Sequence, residues 1–242
     1  MEIMHPLGRS IEGWLRSQIH GEGHREGLGE GGGPPRGLTI ALSREVGAGG
    51  TTVAREIGSR LGWPVYDQEL VEQISRAMNV RPQWLEELDE RRSSWLEECF
   101  EAFARVPTLR ENVYCRHLIE TLFDLAARGN CVIVGRGAAQ VLPASTTLRV
   151  RLLATLEDRV RVMGRELNLS PDEAASWIAT RDRERIRFVK DHFRQDPSDP
   201  QGYDLVVNTS RFAAGECAEL VIRALEAMEI RVGRKASAKA AV

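Results

Sequence analysis

The stretch between Leu38 and Thr52 constrains the fold of this chain more than any other. It begins with a short apolar run that contains a β-branched residue, which is typical of a buried strand. Three glycines follow at Gly47, Gly49 and Gly50, and apolar residues then recur at helical spacing. A strand that enters a helix through such a glycine loop (residues 45–50) forms a phosphate cradle, because loop N–H groups and the helix dipole converge on one anion.

The glycine loop fits the phosphate-binding pattern G-x-x-x-x-G-K-[ST] in part. If Gly49 is the second glycine of that pattern, Arg44 stands at the first glycine and Gly50 stands at the lysine. Thr51 then occupies the hydroxyl position, which reaches Mg²⁺ in such loops, and Thr52 follows it. The loop alone leaves two interpretations open: a nucleotide-binding loop, or a glycine-rich turn that binds no phosphate.

The composition excludes several classes of protein. The 242 residues give room for one core of ordinary size. A formal net charge of −2 argues against a general nucleic-acid-binding surface. No apolar run approaches the ~18 residues of a membrane span, and the N-terminus lacks the apolar core of a signal peptide. We therefore expect a cytoplasmic protein that contacts neither nucleic acid nor membrane.

The chain divides into three parts in the sequence. Residues 21–37 hold eight glycines and two prolines, so residues 1–37 are expected to form a flexible N-terminal extension. One domain is then expected over residues 38–231, followed by a disordered tail at 232–242, which is basic and rich in alanine. After the first strand, four more are predicted at 64–66, 131–134, 148–153 and 204–208, with helices between them. This alternation predicts a doubly wound parallel α/β sheet. Thr155 with Asp158 and Ser170 with Glu173 have the pattern of helix-capping residues, so two helices are predicted to start there, and the closing helix is predicted over residues 213–228.

Charged residues follow the predicted strands at positions that suit ligand binding. Asp67 comes after the second strand, where it can cap the next helix and also lie at the ligand-binding edge of the sheet. Arg136 stands between two glycines after the third strand, either aimed at a bound anion or exposed in a surface turn. A later helix carries six cations within fourteen residues, which form either a solvated face or an anion-binding strip: Arg181, Arg183, Arg185, Arg187, Lys190 and Arg194.

Together these pieces resemble the cytidylate kinase-like family of P-loop nucleoside monophosphate kinases. The matching stretches are 38–50, 65–67, 131–137, 181–193 and 203–210. The resemblance implies a P-loop NTPase-type fold, a doubly wound parallel five-stranded sheet with a helical acceptor-binding lobe and a lid.

The resemblance also implies roles for the glycine loop. ATP and Mg²⁺ would be held by Gly47, Gly49, Gly50, Thr51 and Thr52, with Thr51 as the metal ligand. Because Gly50 replaces the lysine that bridges two phosphates in the family, Arg44 is the candidate for the missing cation.

On the acceptor side, the resemblance assigns Asp67 and Arg136 to the acceptor nucleotide, and Arg181 and Arg185 to the lid. Phosphoryl transfer depends on alignment and on neutralising the moving phosphoryl group, which arginine forks do well. We therefore expect ATP-dependent phosphoryl transfer to a nucleoside monophosphate, CMP or dCMP. The alternative is a nucleotide-binding regulatory pseudokinase, because the lysine is absent. A Rossmann dehydrogenase is disfavoured, since no G-x-G-x-x-G follows the first strand.

Overall fold

The computed structural model describes residues 37–67, 71 and 113–240. Within these ranges the strands are β1 (Thr39–Arg44), β2 (Val65–Tyr66), β3 (Cys131–Val134), β4 (Thr147–Leu153) and β5 (Leu205–Asn208). The α-helices of the same ranges are α1 (Gly50–Leu61), α2 (Val113–Arg128), α3 (Ala138–Val141), α4 (Leu156–Leu167), α5 (Pro171–Phe193) and α6 (Ala214–Ala240). A 3₁₀ turn, Pro200–Gly202, precedes β5.

All five strands belong to one parallel sheet in the order β2-β3-β1-β4-β5. The central strand β1 pairs with β3 on one side and with β4 on the other. Because the chain builds the sheet outward on both sides of β1, a crevice forms at the carboxyl end of that strand, where such sheets bind ligands. The predicted five-stranded parallel sheet is confirmed.

The two faces of β1 and β4 have different neighbours. Ile40, Leu42, Val150 and Leu152 are buried against α1 and α6 in the main core. Side chains alternate along a strand, so Ser43 and the other intervening residues lie on the opposite face. Helix α3 packs against β1 and β4 on that face of the sheet.

The helix-start signals of the sequence are confirmed. Thr155 caps α4 by accepting a hydrogen bond from the Asp158 backbone N–H. Ser170 and Glu173 form a full capping box at the start of α5, with Pro171 at the first helical position. These caps satisfy backbone donors that the first turn of a helix leaves without an intrahelical acceptor.

The end of the chain differs from the expectation. The closing helix was expected to stop near Met228, whereas α6 continues to Ala240. Residues 232–240, expected as part of a disordered tail, are therefore helical, and the reason is their content of alanine, lysine and arginine, which are strong helix formers. The short helix α3 has no counterpart in the sequence prediction because four residues are too few for a periodic pattern.

Several predictions lie outside the described residues. These are the N-terminal extension, the start of the helix after Asp67 and the part of the helical acceptor-binding lobe that precedes residue 113. Within the described ranges, no helix combines the length and the apolar character needed to cross a membrane.

Candidate active site

A cavity of about 890 Å³ opens at the carboxyl edge of the sheet. The ends of β1, β2 and β3 form one side of it, and α5 forms another. Its wall contains six arginines and four acidic residues: Arg44, Arg55, Arg136, Arg151, Arg181, Arg185, Glu45, Asp67, Asp182 and Glu184. The excess of guanidinium groups suits a ligand that carries several negative charges.

The glycine loop leads directly into α1. Gly47 and Gly49 have left-handed φ angles of +78° and +67°, which glycine adopts without strain. The first turn of α1 contains no acidic residue, and its N–H groups have no intrahelical acceptor. This helix start can therefore receive an anion. The Thr51 side chain borders the cavity, whereas that of Thr52 is exposed outside the wall, so Thr52 can contribute there only through its backbone N–H.

Arg44 occupies the space that a side chain at position 50 would need. A Cβ atom placed on Gly50 would lie 2.6 Å from Cγ of Arg44, and one on Gly135 would overlap the guanidinium group of Arg44. The Arg44 stem thus packs on one glycine and its tip packs on the other. A lysine at position 50 and Arg44 in this position exclude each other.

Burial and the crowding of positive charge disfavour the charged form of Arg44. Burial, followed by repulsion from Arg185 and Arg136, lowers the pKa of Arg44 to about 10, while Asp67 opposes the shift. A bound anion would relieve this repulsion and raise the pKa again. An anionic ligand would therefore stabilise the charged form of the Arg44 guanidinium group.

Arg136 is held in an unusual backbone conformation beside β3. Its φ angle is +54°, and it stands between Gly135 and Gly137, which are also left-handed. A left-handed non-glycine residue costs roughly 1–2 kcal/mol, so the surrounding structure must impose it. The guanidinium carbon lies 5.6 Å from the ring centroid of Phe188 on α5. Burial, and then Arg185, lower the pKa of Arg136.

Asp67 borders the cavity at the end of β2, on the same side as Arg44. Its carbonyl accepts a hydrogen bond from the N–H of Val71 at 3.0 Å, which is the spacing of a helical turn. The two predicted roles of Asp67, as a start of the next helix and as a residue of the ligand-binding edge, are therefore compatible in position.

Of the six cations predicted on α5 and at its end, Arg181 and Arg185 border the cavity. Arg185 is half-buried and donates a long hydrogen bond of 3.5 Å to the carbonyl of Arg44. Arg181 is more exposed, forms an ion pair of 2.8 Å with Glu184, and lies over the ring of Trp177. The remaining four are exposed outside the cavity wall: Arg183, Arg187, Lys190 and Arg194.

Sequence reasoning missed the contact that ties α5 to the glycine loop. Asp182 accepts a hydrogen bond from the backbone N–H of Val46 at 2.9 Å and pairs with the guanidinium group of Arg159 on α4. Val46 itself packs in a small core with Ile178 of α5. No sequence signal indicates this contact, because it joins residues of the loop, α4 and α5 that are far apart in the chain.

Sequence reasoning also missed Arg151, which borders the cavity from β4. Its Nη1 donates a hydrogen bond of 2.8 Å to Oγ of Ser43, and its guanidinium carbon lies 5.7 Å from the ring centroid of Tyr203. The alternation of arginines with buried apolar residues along β4 is a signal that could have identified it.

The residues around the glycine loop also suit Mg²⁺. Within the described ranges there is no group of three or more His, Cys, Asp or Glu that could hold a metal on its own. Mg²⁺, however, prefers oxygen ligands and takes one or two from the protein when phosphates and waters supply the rest. The Thr51 hydroxyl and the Glu45 carboxylate, both in the cavity wall, are donors of that kind.

Known proteins resemble this chain in sequence and in fold. The model of the cytidylate kinase-like family matches residues 39–211. Among curated proteins, cytidylate kinase from Methanopyrus kandleri is 26% identical over 199 residues, which is 78% of this chain and 93% of that protein. Cytidylate kinase from Pyrococcus horikoshii is 26% identical over 182 residues, covering 74% of this chain and 84% of the relative. An uncharacterized protein from Eubacterium ventriosum shares the fold, with a TM-score of 0.63 and 18% identity over 79% of this chain and 99% of its own.

Proposed function

The chain belongs to the cytidylate kinase-like family, and from this we propose that it transfers the γ-phosphoryl group of ATP to a nucleoside monophosphate, CMP or dCMP. Six arginines around one cavity at the carboxyl edge of the sheet carry this proposal. Two relatives that match most of the chain are cytidylate kinases, which supports CMP as the acceptor.

The glycine loop would bind the triphosphate of ATP. Backbone N–H groups at the start of α1 would contact the phosphates, with the positive end of the helix dipole behind them. The Thr51 hydroxyl would be the protein ligand of Mg²⁺. Glu45, at the start of the glycine loop and in the same cavity wall, would accept hydrogen bonds from waters on the metal. When bound, Mg²⁺ would neutralise phosphate charge.

Arg44 would replace the lysine that the family places at position 50. Its guanidinium group reaches the cavity from the end of β1 and lies between the glycine loop and Gly135. An arginine there presents a fork of N–H donors to phosphate oxygens, whereas a lysine presents a point charge. The sequence change at position 50 would therefore move the cation to a neighbouring position instead of removing it.

The acceptor phosphate would bind to Arg136, with Asp67 beside it at the end of β2. Arg181 and Arg185 would neutralise the phosphoryl group as it moves from donor to acceptor. In this mechanism no protein side chain forms a bond to phosphorus; the chain aligns two anions and offsets their repulsion.

The alternative is a regulatory pseudokinase that binds nucleotide without efficient transfer. The glycine at position 50 is the observation that favours it. The Arg44 side chain, whose stem packs on Gly50, weakens that reasoning, and so does the arginine-rich wall on the acceptor side.

An assay of ADP release coupled to NADH oxidation tests the proposed function. ATP and Mg²⁺ are supplied with CMP, dCMP, UMP, AMP or GMP, and acceptor-dependent turnover is expected to be highest with CMP or dCMP. Arg185→Ala should lower kcat by about 10²- to 10³-fold, the usual effect of removing one donor to a transition-state oxyanion. Arg183→Ala, an exposed arginine of the same helix, is the matched control and should keep wild-type turnover. If no monophosphate stimulates ADP release, the chain is not a nucleoside monophosphate kinase.

A further inference from the structure

Arg151 and Arg185 bring two positive charges to one part of the cavity wall. Burial is the largest cause that lowers the pKa of Arg185; attraction to Asp182 opposes the shift, and repulsion from Arg151 adds to it. Neither guanidinium group forms an ion pair with a residue in the described ranges. The polar partner of Arg151 is the Ser43 hydroxyl, and that of Arg185 is the Arg44 carbonyl. Asp182 is the carboxylate that acts on Arg185, but it is itself paired with Arg159 and accepts from the Val46 N–H. The two cations in this wall therefore leave an excess of positive charge that an oxyanion would offset.

The surroundings of Arg151 hold it in place before any ligand arrives. Ser43 and Arg151 are directly paired residues of β1 and β4, and the Ser43 hydroxyl accepts the Nη1 hydrogen bond. Oη of Tyr203 lies 3.2 Å from that hydroxyl, accepts from the Gln140 amide at 2.8 Å, and donates to the Pro197 carbonyl at 2.8 Å. A guanidinium group anchored in this way loses little side-chain entropy on binding.

The strand face that carries Arg151 indicates which substrate it meets. Its neighbours Val150 and Leu152 face α1, whose N-terminus is the donor phosphate cradle. Arg151 and Ser43 lie on the opposite face. The cavity wall also includes Gln140 and Pro197, which hydrogen-bond to Tyr203 beside Arg151 and Ser43.

We propose that Arg151 and Arg185 form a subsite that binds an oxyanion, such as a phosphate oxygen, of the phosphate acceptor. This subsite rests on the proposed function, because it presumes an anionic acceptor. Arg185 would bind both the acceptor and the moving phosphoryl group, and Arg151 would bind the acceptor alone. The described partners of Arg151 leave donors of its guanidinium fork available to such a ligand.

Steady-state kinetics with CMP and ATP test the subsite through Arg151→Met. We expect the KM for CMP to rise about 10- to 100-fold, the range of one charge-assisted hydrogen bond, and the KM for ATP to stay within about twofold. Arg151→Lys, which keeps the charge but not the fork, should give an intermediate KM for CMP. If the KM for ATP rises instead, Arg151 contacts the phosphate donor and not the acceptor. If both KM values are unchanged, the subsite is refuted.

Arg149→Met is the matched control. Arg149 lies two residues earlier on the same face of β4 and pairs with Asp204 instead of bordering the cavity. The Arg149→Met variant should keep the wild-type KM for CMP. An equal rise in both variants would mean that general damage to β4, and not a lost ligand contact, causes the effect.

Calorimetric titration with inorganic phosphate separates the subsite from the proposed function, because it needs no turnover. We expect phosphate to bind Arg151→Met about tenfold more weakly than the wild type and Arg149→Met. If no monophosphate supports ADP release but this difference is found, the proposed function fails and the oxyanion subsite stands. Equal phosphate affinity in all three proteins overturns the subsite.

Discussion

Arg44 and Gly50 compete for one space, and this competition can be measured as a coupling free energy. The perturbation is a double-mutant cycle of Arg44→Ala and Gly50→Ala. A Cβ atom on residue 50 would lie 2.6 Å from Cγ and 3.0 Å from Cβ of Arg44, so the longer side chain must shift when the methyl group is added. In the Arg44→Ala background the Cγ atom is gone, and the remaining contact is tight but tolerable.

Overpacking of this kind costs about 1–3 kcal/mol. Gly50 does not have a left-handed φ, so its backbone adds no further penalty. We therefore expect Gly50→Ala to lower the free energy of unfolding by about 1–3 kcal/mol in the natural background, because the core must yield. In the Arg44→Ala background the loss should be about 1–2 kcal/mol smaller, which is the coupling energy of the pair.

Urea denaturation of the four proteins gives the coupling energy directly. Gly202→Ala in both backgrounds is the control, because a Cβ atom at Gly202 meets no neighbour within 4 Å. It should show no coupling with Arg44. If the two losses for Gly50→Ala agree within about 0.5 kcal/mol, the sites are independent and the steric reasoning is refuted.

The same pair tests whether Arg44 replaces the lysine. Arg44→Ala should lower kcat/KM for ATP by about 10²- to 10³-fold, the effect of removing one preorganised donor. Adding Gly50→Lys to that variant should recover about tenfold or more, since one such contact regained is worth at least that factor. Gly50→Lys alone should be harmful because the Arg44 stem blocks it. If the double variant recovers no kcat/KM for ATP and Gly50→Lys alone keeps wild-type activity, Arg44 does not replace the lysine.

Three further predictions concern stability and reactivity. Gly137→Ala should lower the free energy of unfolding in urea by about 1–3 kcal/mol more than Gly62→Ala, because both glycines are left-handed but a Cβ atom at Gly137 overlaps an aromatic ring of α5; equal losses would contradict this packing. Asp182→Asn should destabilise the fold by about 1–3 kcal/mol, since it weakens a half-buried charged contact, whereas Asp191→Asn on the exposed face of α5 should change stability by less than about 0.5 kcal/mol. Burial raises the pKa of the Cys131 thiol to about 12, which removes the reactive thiolate at pH 8, so mass spectrometry should find this thiol unmodified by iodoacetamide in the native protein; rapid alkylation would show that it is accessible.

Local patterns in the sequence were sufficient to predict the five strands and the starts of α4 and α5. The apolar runs located all five strands, β3 within its observed limits, and Ser170 with Glu173 located the start of α5. The apolar runs and the helix-start patterns depend on residues that lie near one another in the chain, which is why local spacing captures them. Arg181 and Arg185 both lie in the cavity wall, but the family resemblance, and not their spacing, selected them from the strip of six cations.

The missed residues depend on contacts between distant segments. Arg151 borders the cavity because the register of β4 sets it beside Ser43, and that register is not visible in either strand alone. Asp182 reaches the Val46 N–H because α4 and α5 pack on the glycine loop. The end of α6 was predicted too early for another reason: the composition of residues 232–240 was interpreted as disorder, although the alanine, lysine and arginine among them favour a helix.

The wedged stem of Arg44 has a thermodynamic consequence for ligand binding. A lysine on the helix would be free in solvent until an anion arrived, and ordering it then would cost up to about 2 kcal/mol of rotamer entropy. The Arg44 side chain packs with its stem on Gly50 and its tip on Gly135, so it gives up that freedom when the chain folds. The ordering penalty is thereby moved from the binding equilibrium to the folding equilibrium, so that the unliganded protein is less stable and its anion site is rigid in advance.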